Sequence, residues 1–202
     1  MAREFTTASQ SGIMAIYDKH TRLHGRSRRT FLKLIASGSA ASMLLPGLAQ
    51  AKLTQPERWL RLFNLHTAES ALVAYWADGQ YVDSGLSALN SFFRDHRNGE
   101  VYPIDPNLLD VVYLLTAMSG SKGHVEVVCG YRSPQTNEML RSTTTGVAKH
   151  SYHLTGQAID FYIPGVSLAR LHRLAKSLRA GGVGYYPDSH FIHVDTGPIR
   201  YW

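Results

Sequence analysis

Two apolar-rich runs, Trp59 to His66 and Ala71 to Trp76, read as a β-hairpin or two adjacent strands, and Ala77-Asp78-Gly79-Gln80 supplies a strong turn before Tyr81-Val82. The rhythm then lengthens to the helical period. From Ser84 or Gly85, apolar residues recur at Leu86, Leu89, Phe92 and Phe93; Asp105-Pro106 opens a second helix through Leu108, Val111, Val112, Leu115 and Met118, which Gly120 stops. Val125 to Cys129 is a short buried strand, after which Ser133 as N-cap and Pro134 at the first helical position begin a helix near Gln135 to Arg141. Arg141 to Ser151 is polar and Thr-rich and reads as a loop. Ser167 caps a helix from Leu168 to Ala180, with Leu171, Leu174, Ala175 and Leu178 inward and Gly181 as its stop. Val183 to Tyr186 and Phe191 to Val194 follow as strands. The order predicts an α+β domain in which helices flank a small, mostly antiparallel central sheet.

The first 51 residues follow another logic. Ser27-Arg28-Arg29-Thr30-Phe31-Leu32-Lys33 precedes an Ala/Ser/Gly-rich apolar stretch from Leu34 to Leu48 and then Ala49-Gln50-Ala51. This is a twin-arginine signal peptide with a small-residue cleavage site, and cleavage is expected after Ala51. The apolar stretch is too short and too rich in Ser and Gly for a stable membrane span. Residues 1–26 lengthen the segment before the arginine pair, which makes Met14 an alternative start. The remaining 52–202 segment is long enough for one domain with a real core.

Charge changes the picture once the signal is set aside. The first 51 residues hold seven Lys/Arg and two Asp/Glu of the chain's 21 and 15, leaving fourteen basic and thirteen acidic residues. The formal +6 therefore belongs mostly to the targeting segment, and the electrostatic footprint of a nucleic-acid binder is missing. The single cysteine, Cys129, has no intrachain partner for a disulfide and reads as a small buried hydrophobe.

Candidate chemistry lies near the C-terminus. His153 and Asp160 in Ser151-Tyr152-His153-Leu154-Thr155-Gly156-Gln157-Ala158-Ile159-Asp160, with His193 in Phe191-Ile192-His193-Val194-Asp195, give two imidazoles and a carboxylate in short, strand-like contexts. Asp160 sits in an apolar β run, where a carboxylate needs a cation or donors. Three such ligands suit tetrahedral Zn2+ with an open fourth position for water, the arrangement of a catalytic rather than a structural site. His150 would pair with His153 only if the segment were helical, so it is set aside. His66 and His96 read as structural or surface residues.

Ser-x-His-x-x-Gly-x-Ala-x-Asp with a later His resembles the LAS zinc peptidases, which include D-Ala-D-Ala metallopeptidases, phage endolysins and the hedgehog fold. The segments Phe63-Asn64-Leu65-His66-Thr67, Leu89-Asn90-Ser91-Phe92-Phe93-Arg94-Asp95, Gly130-Tyr131-Arg132-Ser133 and Ala180-Gly181-Gly182-Val183-Gly184-Tyr185-Tyr186-Pro187 extend the likeness to the murein endopeptidase K group of exported bacterial enzymes. The resemblance implies that His153, Asp160 and His193 bind zinc and that 52–202 is a zinc peptidase domain. The implied substrate is a peptidoglycan stem peptide, cut at diaminopimelate–diaminopimelate or D-Ala–diaminopimelate cross-links in the periplasm. A D-Ala-D-Ala carboxypeptidase and a non-catalytic zinc-containing wall-binding domain are the alternatives.

In many LAS enzymes the general base precedes the last metal His by a few residues, where this chain has Asp188 and His190; His190 is preferred because imidazole exchanges protons near neutrality. Asp195 competes, since Phe191, His193 and Asp195 share a strand face and Asp195 lies about 6–7 Å along from the ligand. It is read as base or as the group orienting His193. The Arg132 guanidinium suits carboxylate capture or oxyanion stabilisation. Ser151 is expected to orient the ligand loop or touch substrate, and Tyr131, Tyr152 and Tyr185 to line the cleft. The partners expected are stem peptides and the twin-arginine export machinery.

Overall fold

A computed structural model of the chain describes residues 56–144 and 146–202. The expected signal peptide, the expected cleavage after Ala51 and the alternative start at Met14 lie outside the described residues.

β1 (Arg58–Asn64), β2 (Ser70–Ala77) and β3 (Gln80–Tyr81) form an antiparallel meander. Its second turn places Asp78 at φ 51 and Gly79 at φ 84, the pair of left-handed residues that matches the twist of a two-residue hairpin loop. α1 (Asp83–Phe92) and α2 (Pro106–Ser119) follow. Asp105 caps α2 by accepting from the Asn107 N–H, Pro106 occupies its first position, and Gly120 ends it at φ 73. The length of chain in these helices lets β4 (Val125–Cys129) return beside β1 in the same direction.

Ser133 caps α3 (Pro134–Thr143) through the Thr136 N–H, as its sequence predicts. β5 (Ala158–Tyr162) pairs antiparallel with β4 and with β7 (Phe191–Asp195), and β7 pairs antiparallel with β6 (Gly182–Tyr186). A short last strand, β8 (Arg200–Tyr201), runs parallel to β6 at the edge. The full order is β3-β2-β1-β4-β5-β7-β6-β8. Among the described residues eight strands form one open mixed sheet, larger than the small one expected; five pairings are antiparallel, as expected, and two, β1–β4 and β6–β8, are parallel.

α4 (Leu168–Leu178) packs on β6, β7 and α2. Leu171 is fully buried under it, and Arg179 at φ 51 forms its C-cap, two residues before the expected Gly181. Alternation along the strands then sorts the sheet into two faces. Phe161, Ile192 and Val194 are buried with Leu108, Leu115 and Leu171 in the core, while Asp160, His193 and Asp195 face the other way. No helix among the described residues is long and apolar enough to cross a membrane.

Candidate metal centre

The site is a row across the sheet. Register places Cys129 opposite Asp160, Asp160 opposite His193, and His193 opposite Gly184, so the Cys129, Asp160 and His193 side chains project from one face of β4, β5 and β7, with Gly184 of β6 next in the row. His153 arrives from outside the sheet. It sits in a 3-10 turn, Tyr152–Thr155, rather than in the strand-like context expected, and that turn is held by the Ser151 side chain on the His153 N–H and by Gly156 at φ 65 as C-cap. The Arg132 N–H donates to the His153 carbonyl at 3.1 Å and fixes the turn over the row.

Both imidazoles are backed by acceptors that decide which nitrogen is free. His153 Nδ1 donates to the Gly130 carbonyl at 2.7 Å, which turns its Nε2 toward Asp160 Oδ2 at 3.2 Å. His193 Nε2 donates to Asp195 Oδ2 at 3.0 Å, which turns its Nδ1 toward Asp160 Oδ1 at 2.8 Å. The His153 tautomer follows from the Gly130 carbonyl, which can only accept; His193 has a carboxylate on each nitrogen, so its Nε2 proton is assigned for the metal-bound ring. In the neutral rings, the two lone pairs converge on one buried carboxylate. His153, Asp160 and His193 are 3%, 6% and 8% exposed. Two oriented nitrogens and an anionic oxygen, each ring carrying its own backing acceptor, fit a zinc ion.

Electrostatics agree with a site made for a cation. Burial disfavours the Asp160 charge, but His153 and His193 outweigh it and hold its pKa below the usual carboxylate range. Burial also opposes protonation of His153; Asp160 and Cys129 overcome it and push its pKa up to about 10. His193 rises against burial for the same reason, through its bonds to Asp160 and Asp195. A metal ion would replace the protons these rings hold.

Asp195 is itself over-determined. It accepts from the Gly182 and Gly197 N–H groups at 3.0 and 2.9 Å, from the Arg200 guanidinium at 3.0 and 2.7 Å, and from His193. Those donors overcome its burial and depress its pKa. His190 occupies an exposed turn at φ 56, its ring 4.8 Å from that of Tyr162, which lies two residues from Asp160 on β5. Asp188 is also exposed, as is His150.

Arg132 lines a cleft of about 170 Å³ that also includes Cys129 and Asp160. Tyr131 does not join it. Its ring is 3% exposed and stacks on Tyr102, and its hydroxyl donates to Glu100 at 2.7 Å, so it reads as a wall support rather than a substrate contact. Tyr152 faces Arg200, and Tyr185 stacks on His172.

Two residues at the site carry no local sequence signal. Cys129 offers its sulfur in a cluster with His153 and Asp160 in which the donor atoms lie within 4.8 Å of one another. Burial raises its thiol pKa, but His153 and Arg132 outweigh this and leave it below the ordinary value. Arg200 reaches Asp195 by a fork that only the parallel β6–β8 edge provides.

A buried His-Asp-His set with second-layer acceptors, mounted on a mixed sheet, could hold a divalent metal ion of the kind that metallopeptidases use. A family model described as peptidoglycan L,D-endopeptidase MepK matches residues 52–202, and the chain belongs to that family. Peptidoglycan L,D-endopeptidase MepK of Escherichia coli strain K12 is 47% identical over 173 residues, 84% of this chain and 95% of that protein. A Haemophilus influenzae relative is 42% identical over 181 residues, 88% of this chain and 96% of that one. The crystal structure of Serratia marcescens L-Ala D-Glu endopeptidase ChiX is a slighter match, with a TM-score of 0.32 and 24% identity over 46% of this chain and 68% of that one.

Proposed function

We propose that this peptidase is a zinc-dependent murein endopeptidase that hydrolyses peptide cross-links of peptidoglycan, diaminopimelate to diaminopimelate or D-Ala to diaminopimelate, during wall growth. The observation that carries the reading is the convergence of His153 Nε2 and His193 Nδ1 on Asp160, each ring held from behind. The family description, an L,D-endopeptidase of peptidoglycan, supports an internal cross-link over a terminal residue as the target.

Zinc held by these three residues would lower the pKa of a water to roughly 7 and polarise the scissile carbonyl. The chain's own groups do the remaining work. The Gly130 carbonyl and Asp195 keep the His153 and His193 rings in the tautomers that leave one nitrogen free for metal. The five donor contacts on Asp195 support the orienting role over that of base. His190 is kept as the group that takes a proton from the attacking water and returns it to the leaving amine. Arg132 binds a substrate carboxylate or the oxyanion, and Ser151 holds the turn that presents His153. Export by the twin-arginine route would deliver residues 52–202 to the periplasm, a boundary that the start of the family match supports.

Purified zinc-loaded protein should convert dimeric muropeptides to monomers, and the His193→Ala variant should not. Loss of terminal D-Ala from pentapeptide monomers with dimers intact would replace this reading by the carboxypeptidase. No change in either would favour a wall-binding domain.

A further inference from the structure

The cleft that reaches Asp160 is also lined by His66, His96, Arg97 and Arg132. The two imidazoles, set aside in the sequence as structural or surface residues, are stacked with ring centroids 4.0 Å apart and planes 10° from parallel. Asp160 is the one carboxylate in the lining, and it belongs to the metal ligands. Every other polar side chain there except the Cys129 thiol is a guanidinium or an imidazole. Arg132 has donors to spare: its Nε is buried without a partner among the described residues, and its other nitrogens make only 3.5 Å contacts to Asn137 and Cys129.

Three separate segments are locked together to make this lining. Asn64 accepts the His66 and Thr67 N–H groups at 2.9 and 3.1 Å and so fixes the β1–β2 turn. Glu69 of that turn takes a two-pronged bond from Arg94, both contacts at 2.9 Å, which ties the turn to the loop carrying His96 and Arg97. In that loop the buried Asp95 accepts from the Arg97 N–H at 3.0 Å, the Ser133 N–H at 2.9 Å and the Ser133 hydroxyl at 2.7 Å. The loop is thereby pinned beside Arg132. A buried carboxylate is a costly way to join two loops. Its effect is to hold the Arg97 and Arg132 guanidiniums beside the stacked imidazoles before any ligand arrives; burial, with His66 and Arg97 nearby, lowers the His96 pKa to about 4, so that ring is a neutral donor there.

We infer that His66, His96, Arg97 and Arg132 form a carboxylate subsite that receives the free carboxylate next to the scissile amide of the cross-link. The inference deepens the endopeptidase reading and rests on it. In these cross-links the carbon attached to the scissile nitrogen carries an unreacted carboxylate, so a pocket with two guanidiniums and two imidazole donors that opens onto the metal ligands would set which amide meets the metal. Amidation of that carboxylate removes its charge and its second strong acceptor oxygen.

Two measurements separate the outcomes. The first compares hydrolysis of cross-linked dimers bearing the free carboxylate with dimers amidated at that position, by the wild-type protein and by Arg97→Gln and His66→Gln/His96→Gln. The wild-type protein should favour the free form. The variants should raise KM for it about tenfold, the size of one charge-assisted hydrogen bond, keep kcat within a few-fold, and lose the preference. The second follows the His66 and His96 ring resonances of the intact domain on titration with the disaccharide-tripeptide monomer. They should shift saturably with the free carboxylate and stay still with the amide. Rings that do not move while dimers are cleaved, or variants that keep the preference, overturn the subsite and leave the endopeptidase standing. Rings that move while no dimer is cleaved overturn the endopeptidase reading and leave the carboxylate subsite.

Discussion

Asp95 is 1% exposed, and its partners are neutral N–H and O–H groups rather than a cation. Burial works to raise its pKa, but the donors on Thr136, Ser133 and Arg97 win and hold it below the ordinary 3.8. Between the unfolded value and that lower folded one, the unfolded chain binds more protons, so stability is full above the window and is lost as pH falls through it. Asp95→Asn should cost about 2 kcal/mol at neutral pH, since buried donors lose a charged acceptor, and should flatten the acid limb. Urea denaturation from pH 3 to pH 7 tests this; an unchanged acid limb would remove Asp95 from the account. At this scale the meeting of His153 and Asp160 was legible in the sequence, because Ser-x-His-x-x-Gly-x-Ala-x-Asp is local, whereas His193, 33 residues beyond Asp160, was matched to them by the resemblance. Cys129, Arg200 and the His66–His96 stack were not legible. Each gains its role only from strand register or from loops joined across about 30 or more residues of chain, as Asp95 joins Ser133 with a separation of 38.

At the scale of elements, caps and turns read well: Asp105-Pro106, Ser133-Pro134 and the Asp78-Gly79 turn all stand where local chemistry put them. The path between elements was less legible. Nothing local distinguishes a strand that returns antiparallel from β4, which runs parallel to β1. Gly181 illustrates the same limit, since its local reading is a helix stop, yet Arg179 forms that cap. A Cβ on Gly181 would strike the Asp195 carbonyl oxygen, so the glycine serves the close approach of the chain to β7. Gly181→Ala should destabilise the domain by about 1–3 kcal/mol through overpacking and weaken metal binding, because the neighbouring Gly182 N–H holds Asp195 behind His193. Thermal melts with and without zinc would read both effects. A variant with wild-type stability and zinc affinity would contradict this coupling.

Along the whole chain charge is uneven, basic over the first 51 residues and nearly neutral over the rest. With seven of the 21 Lys/Arg but two of the 15 Asp/Glu in the first 51 residues, most of the formal +6 lies in the segment proposed as a twin-arginine leader. Changing Arg28-Arg29 to Lys-Lys should therefore leave precursor in the cytoplasm, and unchanged accumulation in the periplasm would refute the twin-arginine reading. The central claim concerns the other part, a zinc ion held by His153, Asp160 and His193 alone among protein groups. Cys129 lies near enough in the same cluster to offer a competing sulfur. Zinc K-edge X-ray absorption on the zinc-loaded domain separates the two directly. The expected result is a first shell of nitrogen and oxygen only, at about 2.0–2.2 Å, which degrades when His193 becomes Ala. A sulfur scatterer at about 2.3 Å, or a shell unaltered in the His193→Ala variant, would contradict it.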